Sequence, residues 1–266
     1  MNDEASSIPL VSADHVVKIF NGGGQRSAAV RGVSLEARRG ELILLLGPSG
    51  SGKTTLLTLM AGLCRPSEGK ITLFGRSLAD YARAELQRLR ARKMGFVFQT
   101  FLLLDSLTVR ENVEIVLRFS GSSKTGRSER AFGLLRDLGI ASLAGKFPAT
   151  LSQGQKQRVA IARAVANDAE LILADEPTGS LETNQGIAII RLLHALAKDR
   201  GKCVIVASHD LRLAEYADRI LRLEDGCVVR EEEGPSISGT CSPAKGRSGD
   251  APAPPDPARS CGAGYG

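Results

Sequence analysis

The run Gly47-Pro48-Ser49-Gly50-Ser51-Gly52-Lys53-Thr54 limits what this chain can fold into more than any other, because of what flanks it. Leu42 to Leu46 is an apolar stretch of strand length that leads into it, and the helical pattern TLLTLMAGL follows from Thr55. Strand, glycine-rich loop and helix with the spacing GxxxxGK[ST] make a phosphate loop, which belongs in an α/β core. Glycines at 47, 50 and 52 let backbone N–H groups curl around β- and γ-phosphates where a side chain would obstruct them. Lys53 brings a point charge to the β/γ oxygens, and the Thr54 hydroxyl is placed to ligate Mg²⁺. The plain alternative is a glycine-rich turn that merely joins strand to helix. The complete spacing and both flanks argue against it.

Two further elements carry chemistry. Leu171 to Ala174 is an apolar strand that ends in Asp175 and Glu176. A first carboxylate there suits the metal, and a second suits polarising a nucleophile at the γ-phosphate. Leu151-Ser152-Gln153-Gly154-Gln155 opens the helical run KQRVAIARAV, and Ser152 with Gln155 three residues on predicts a capping box. A helix N-terminus of that kind attracts anions, so the chain carries two phosphate-facing helix starts. Taken alone, LSQGQ reads more readily as a capped helix with no ligand.

In this order and spacing the motifs resemble the ATPase subunits of ABC transporters, over roughly Leu10 to Glu232. The resemblance implies an α/β P-loop NTPase of the ABC ATPase type, with a RecA-like core, an antiparallel β subdomain and a helical signature subdomain. It implies ATP and Mg²⁺ as ligands, and an ATP-sandwich homodimer in which Ser152 and Gly154 of one chain meet the γ-phosphate held by the other. Gly47 to Thr55 and Asp175 would bind the nucleotide, with Thr54, Gln99 and Asp175 on the metal and Lys53, Glu176 and His209 in hydrolysis. Gln99 matches the family's metal- and γ-phosphate-sensing glutamine, and His209 its switch histidine. Phe20 falls where the family stacks an aromatic on adenine, although a Phe at a strand end is as readily core. The segments from Gly95 to Leu104 and from Leu107 to Val113 are similar to ATPases of the lipoprotein-release, macrolide-export and cell-division group, which act beneath separate permeases.

The chain departs from the family pattern twice. Gln153 stands where the signature has glycine, and its lack of freedom at positive φ is expected to alter the local turn. Glu182 ends Ser180-Leu181-Glu182 where an Asp is usual, lengthening the reach of that carboxylate by one methylene.

Composition fits this reading. A chain of 266 residues, 42% hydrophobic, can bury one substantial α/β core. No stretch reaches the roughly 18 consecutive apolar residues of a membrane span, and the start Met1-Asn2-Asp3-Glu4 is acidic with no apolar signal region. The expectation is therefore a cytoplasmic protein, peripheral on the inner face of the cytoplasmic membrane, with an integral-membrane permease as partner. Five cysteines without a CxxC pair suit a reduced compartment. The net charge of +6 draws on Arg83, Arg88, Arg90, Arg92 and Lys93. No nucleic-acid module accompanies them, so a solvated helix face is expected rather than a nucleic-acid site. Phe101 to Leu104 is either an exposed apolar interface or part of the core.

Residues 1–9 are read as a flexible N-terminus and 10–233 as the ATPase domain. Within it come short strands up to residue 46, a strand over Lys70 to Phe74, and helices over Ala84 to Lys93, Ser128 to Leu138 and Gln185 to Lys198. A helical subdomain spans about 105–165, and a capping box starts at Thr108. A hairpin turns at Asp225-Gly226. From Gly234 to 266 the sequence is rich in Pro, Gly, Ser and Ala and reads as a disordered tail. The reading that best joins these features is an ATP-hydrolysing subunit that energises a separate permease. An alternative from another class is a regulatory ATPase that gates an extracytoplasmic enzyme through a membrane partner without transporting substrate.

Overall fold

Leu42–Leu46 (β3) is buried at every position, and a strand buries both faces only with paired neighbours on either side and packed layers above and below. The computed structural model, which describes residues 8–22, 25–120 and 124–235, supplies both. β3 pairs in parallel with Cys203–Ser208 (β8) and with Arg219–Glu224 (β9). Outward from β8 come Leu171–Asp175 (β7) and Met94–Val97 (β6), both parallel, while Cys227–Glu233 (β10) runs antiparallel beside β9. The order is β10-β9-β3-β8-β7-β6.

Alternate residues of these strands serve opposite layers, as the period of two requires. Leu42, Leu44, Ile172, Ala174, Val204 and Val206 face one core, covered by Val109–Leu117 (α3), Lys124–Asp137 (α4), Gln153–Val165 (α5) and Thr183–Lys198 (α6). Ile43, Leu45, Leu171, Leu173 and Ile205 face the other. That core is closed by Lys53–Met60 (α1) and by a second sheet of Val11–Gly22 (β1), Gln25–Ala37 (β2), Glu68–Leu73 (β4) and Arg76–Ser77 (β5). Its order is β2-β1-β4-β5, antiparallel throughout.

The N-terminal strands are longer than the sequence suggests: β1 has 12 residues and β2 has 13. Register shifts along the pair, with Gly32 and His15 at positive φ, absorb what looked like breaks. The capping box at Thr108 forms as expected, with the Thr108 hydroxyl accepting from Glu111 N and the Glu111 carboxylate accepting from Thr108 N. Asp225 and Gly226 both have positive φ, which makes the β9–β10 turn the two-residue type suited to a twisted hairpin. Arg83–Lys93 (α2) buries none of its residues. Of the expected flexible terminus 1–9 and disordered tail 234–266, residues 1–7 and 236–266 lie outside the described residues. Among the described residues no helix is long and apolar enough to cross a membrane, and Cys64, Cys203 and Cys227 are free.

Phe101 to Leu104 divides between its two readings. Phe101 is buried and Leu103 packs on the helical core, while Leu102 and Leu104 are exposed. Asn112, fully buried, holds this loop: its amide donates to the carbonyls of Leu104, Leu107 and Thr108, and its Oδ1 accepts from Leu104 N. Asn112→Leu strips those backbone groups of their partner and is expected to cost about 2–3 kcal/mol in urea unfolding. A midpoint unchanged from the parent would show that the loop does not depend on this residue.

Candidate functional site

Three adjacent parallel strands end at one level. In the ladders Leu46 is opposite Ser208, and Asp175 is opposite Ala207. Gly47 N donates to Ser208 O at 3.2 Å, and Glu176 N donates to Ala207 O at 2.9 Å. The phosphate loop, the acid pair and His209 therefore leave the sheet side by side, at the carboxyl ends where open parallel sheets place their ligands.

The loop closes against backbone on two sides. A Cβ on Gly47 would lie 2.2 Å from Leu223 O, and one on Gly52 would lie 2.2 Å from Ala29 O. Gly50 and Gly52 have φ of 84° and 99°, a region that favours glycine. Pro48, Ser49 and Gly50 are exposed, whereas Ser51 is buried with an Oγ that has no hydrogen-bond partner among the described residues. Lys53, only 5% exposed, donates to the carbonyls of Gly47 at 2.8 Å and Pro48 at 2.9 Å. Thr55 lies in the first turn of α1, where its carbonyl accepts from the Thr58 hydroxyl.

Around Lys53 the charged groups converge. Its Nζ is 3.8 Å from Glu176 Oε1, and both Glu176 oxygens are 3.0 Å from His209 Nδ1. Thr54 Oγ1 donates to Asp175 at 2.9 and 3.0 Å. Burial pushes the Asp175 carboxyl above the ordinary range; Glu176 adds to this, while the Thr54 hydrogen bond and Lys53 oppose it. Hydroxyl and carboxylate oxygens together are a donor set for a hard cation. Among the described residues no group of three or more His, Cys, Asp or Glu could hold a metal by itself. A cation at Thr54 and Asp175 would therefore complete its shell with water or phosphate oxygens, the habit of Mg²⁺.

Glu176 has φ 46°, a strained value for a residue with a Cβ. Ser208 helps hold its carboxylate: its side chain is fully buried, and its Oγ donates to Glu176 Oε2 at 3.3 Å and accepts from Asp210 N. Sequence reasoning passed over Ser208. Its signal was a lone polar residue ending the apolar run that precedes His209.

The other expected residues lie further out. Gln99 is exposed at the end of β6, with its Nε2 3.2 Å from where a Cβ on Gly179 would stand. Phe20 is 49% exposed, which removes the core alternative, and the Lys18 ammonium sits 5.2 Å from its ring centroid. Among the described residues no hydrogen bond or ion pair joins Phe20, Ser152 or Gly154 to the Lys53 cluster. Ser152 caps α5 as expected: its Oγ accepts from Gln155 N, and its N donates to Gln155 Oε1. Gly154 faces Gln185 of α6, whose Oε1 is 2.7 Å from where a Cβ would be. The expected distortion at Gln153 is corrected. Gln153 is the first residue of α5 and is not among those with positive φ, so an ordinary side chain fits there. Glu182 is the N-cap of α6, and its side chain makes no capping bond.

Next to β6 a groove of about 420 Å³ is lined by Leu63, Met94, Phe96 and Phe98 together with Arg90 and Arg163. Both guanidinium groups are bonded to backbone carbonyls: Arg90 to Gly62, and Arg163 to Phe101 and Leu102. Among the described residues neither has a carboxylate partner, although burial weakens the hold of each on its proton.

A protein-family profile described as ABC transporter matches residues 30–179. The chain is similar to macrolide export ATP-binding/permease protein MacB of Agrobacterium fabrum, at 39% identity over 235 residues, 88% of this chain and 36% of that protein. It is also similar to MacB of Burkholderia thailandensis, at 41% identity over 258 residues, 97% of this chain and 39% of that protein. The chain thus spans under two-fifths of the curated relatives it matches. Among solved structures, the ATP-binding cassette MJ0796, a dimer bound to ADP and Pi, superposes with TM-score 0.78 at 40% identity, over 84% of this chain and 98% of that one. The cbiO1 protein of Clostridium perfringens, part of the cbiONQ ABC transporter complex, superposes with TM-score 0.76 at 28% identity, over 85% of this chain and 88% of that one.

The glycine cradle is open to a direct test. Gly52→Ala puts a Cβ against Ala29 O at a φ that alanine resists. It is expected to weaken binding of a fluorescent ATP analogue at least tenfold, about 1.4 kcal/mol. Unchanged affinity would mean that the loop does not need to wrap a phosphate.

Proposed function

The chain belongs to the ABC transporter family, and from that premise we propose that it is the ATP-hydrolysing subunit of a transport machine, working as a head-to-tail pair of chains with ATP and Mg²⁺ between them. The observation that carries this reading is the convergence of Lys53, Thr54, Asp175, Glu176 and His209 at the carboxyl ends of β3, β7 and β8.

Backbone N–H groups of Gly47 to Thr54 bind the β- and γ-phosphates, and Lys53 turns its ammonium from the loop carbonyls to their oxygens. Thr54, Asp175 and Gln99 would hold Mg²⁺, which would supply positive charge against the phosphate oxygens. Glu176 orients a water for in-line attack on the γ-phosphorus and accepts its proton as the bond to the β-phosphate oxygen breaks, releasing ADP and phosphate. His209, bonded to Glu176, steadies that carboxylate and contacts the γ-phosphate. Phe20, about half exposed, stacks on adenine.

Ser152 and Gly154 cap the γ-phosphate of the second chain. Their position in the first turn of α5, with Ser152 exposed and Gly154 half-buried and, among the described residues, no bond to their own chain's Lys53 cluster, supports a site shared between two copies. A membrane-embedded permease is the further partner, with the groove lined by Phe96, Phe98, Arg90 and Arg163 as its docking face. Similarity to MacB supports the macrolide-export and lipoprotein-release group over importers, and supports a station on the inner face of the cytoplasmic membrane.

Glu176→Gln keeps the side chain's shape and removes its basicity. It is expected to bind ATP, accumulate as a dimer on size-exclusion chromatography, and release phosphate roughly 10²–10⁴-fold more slowly than the parent. Phosphate release at the parental rate would remove Glu176 from this role.

A further inference from the structure

Gln157 is a polar residue that the chemistry above does not use. It lies on α5, three residues past Gly154, and its side chain is fully buried. Its Nε2 donates to the carbonyl of Pro177 at 2.7 Å, while its Oε1 is buried and has no partner among the described residues. An amide that leaves one of its own atoms unpaired is a poor choice for filling space, because an apolar side chain of the same size would pack there without that penalty. What the amide does supply is one hydrogen bond, and the acceptor is the residue directly after Glu176.

That acceptor matters because Glu176 is held in a conformation it would not choose, at φ 46° and followed by a proline. On one side Glu176 N is tied to Ala207 O of β8. On the other, the turn is closed by Gly179 N donating to Glu176 O at 3.1 Å, and the Pro177 carbonyl is pinned by Gln157. Of these ties only the last comes from α5, the helix whose first turn presents Ser152 and Gly154. One rigid helical turn separates Gly154 from Gln157, so a tilt or shift of that helix start reaches Pro177 without an intervening loop.

We propose that Gln157 is a positioning residue through which the signature helix of each chain sets the pose of that chain's own Glu176. This rests on the two-chain site proposed above. There, Ser152 and Gly154 engage the nucleotide held by the partner, while Glu176 serves the nucleotide held by its own chain. The Gln157–Pro177 bond therefore links the two sites of the dimer: occupation of one reports to the carboxylate of the other.

The test compares parent, Gln157→Met and Gln157→Glu as full chains, measuring phosphate release against ATP concentration together with thermal unfolding. Methionine fills the same volume, drops the unpaired acceptor and cannot donate. It is expected to unfold within a few degrees of the parent and to keep KM for ATP within about twofold, while kcat falls at least tenfold and the Hill coefficient drops toward one. Glutamate in this buried position donates to Pro177 O only when protonated. Its kcat relative to the parent is expected to be highest at the acid end of a pH 6–9 series and to fall as pH rises, with no matching fall in folded fraction. A folded Gln157→Met with parental kcat overturns the proposal, as does a kcat loss that follows loss of folded protein. If the methionine variant does not fold, the pH series decides alone, and a pH-independent ratio overturns the proposal. A parent chain that binds ATP without releasing phosphate, in either oligomeric state, would instead remove the ATPase reading and this inference with it. Turnover by the parent with unaltered turnover in the variants would remove the inference only.

Discussion

The parallel pairing of β3, β8 and β7 in one register is the constraint on which the rest of the molecule depends. Because Leu46 lies opposite Ser208 and Asp175 opposite Ala207, the chain leaves the sheet three times at the same height. A slip of one residue in either ladder would turn every side chain of the slipped strand to the wrong core. It would also carry Glu176 or His209 away from Lys53. The alternation of Leu42, Leu44 and Leu46 with Ile43 and Leu45 between two cores is therefore part of the site, since it fixes the register that gathers the charges.

Around that frame the charged groups restrain one another. Lys53 is nearly enclosed, yet it is met by two carbonyls and by Glu176. Asp175 has a carboxyl whose proton affinity is raised by burial, so it gains from a cation shared with Thr54. Glu176 is held by Ala207, Ser208, His209 and, through Pro177, by Gln157. Such over-determination is what keeps a non-glycine residue at positive φ. The carboxylate is thus fixed by groups of the chain itself, an arrangement that limits reorganisation during a chemical step.

Much of this was legible in the sequence, for identifiable reasons. The phosphate loop, the acid pair and the capping boxes at Thr108 and Ser152 are local patterns whose physics is complete within a few residues. The type of the β9–β10 turn follows from two residues, Asp225 and Gly226. What stayed hidden depends on contacts between distant segments. Nothing near Gln157 in sequence announces Pro177, and nothing near Asn112 announces how many loop carbonyls it satisfies. Gln153 was misjudged because a glycine elsewhere in the family suggested a left-handed turn, whereas this backbone is already helical there. The lengths of β1 and β2 were underestimated because bulges, which pairing tolerates, look like strand ends in one dimension.

The central claim is that one chain holds ATP and another completes the site, so hydrolysis requires association. It is tested most directly by phosphate release per chain across a dilution series at saturating ATP. A composite site predicts that turnover per chain falls on dilution as dimers separate and approaches a plateau at high concentration. Turnover per chain that stays constant down to concentrations at which light scattering finds only monomer would contradict it.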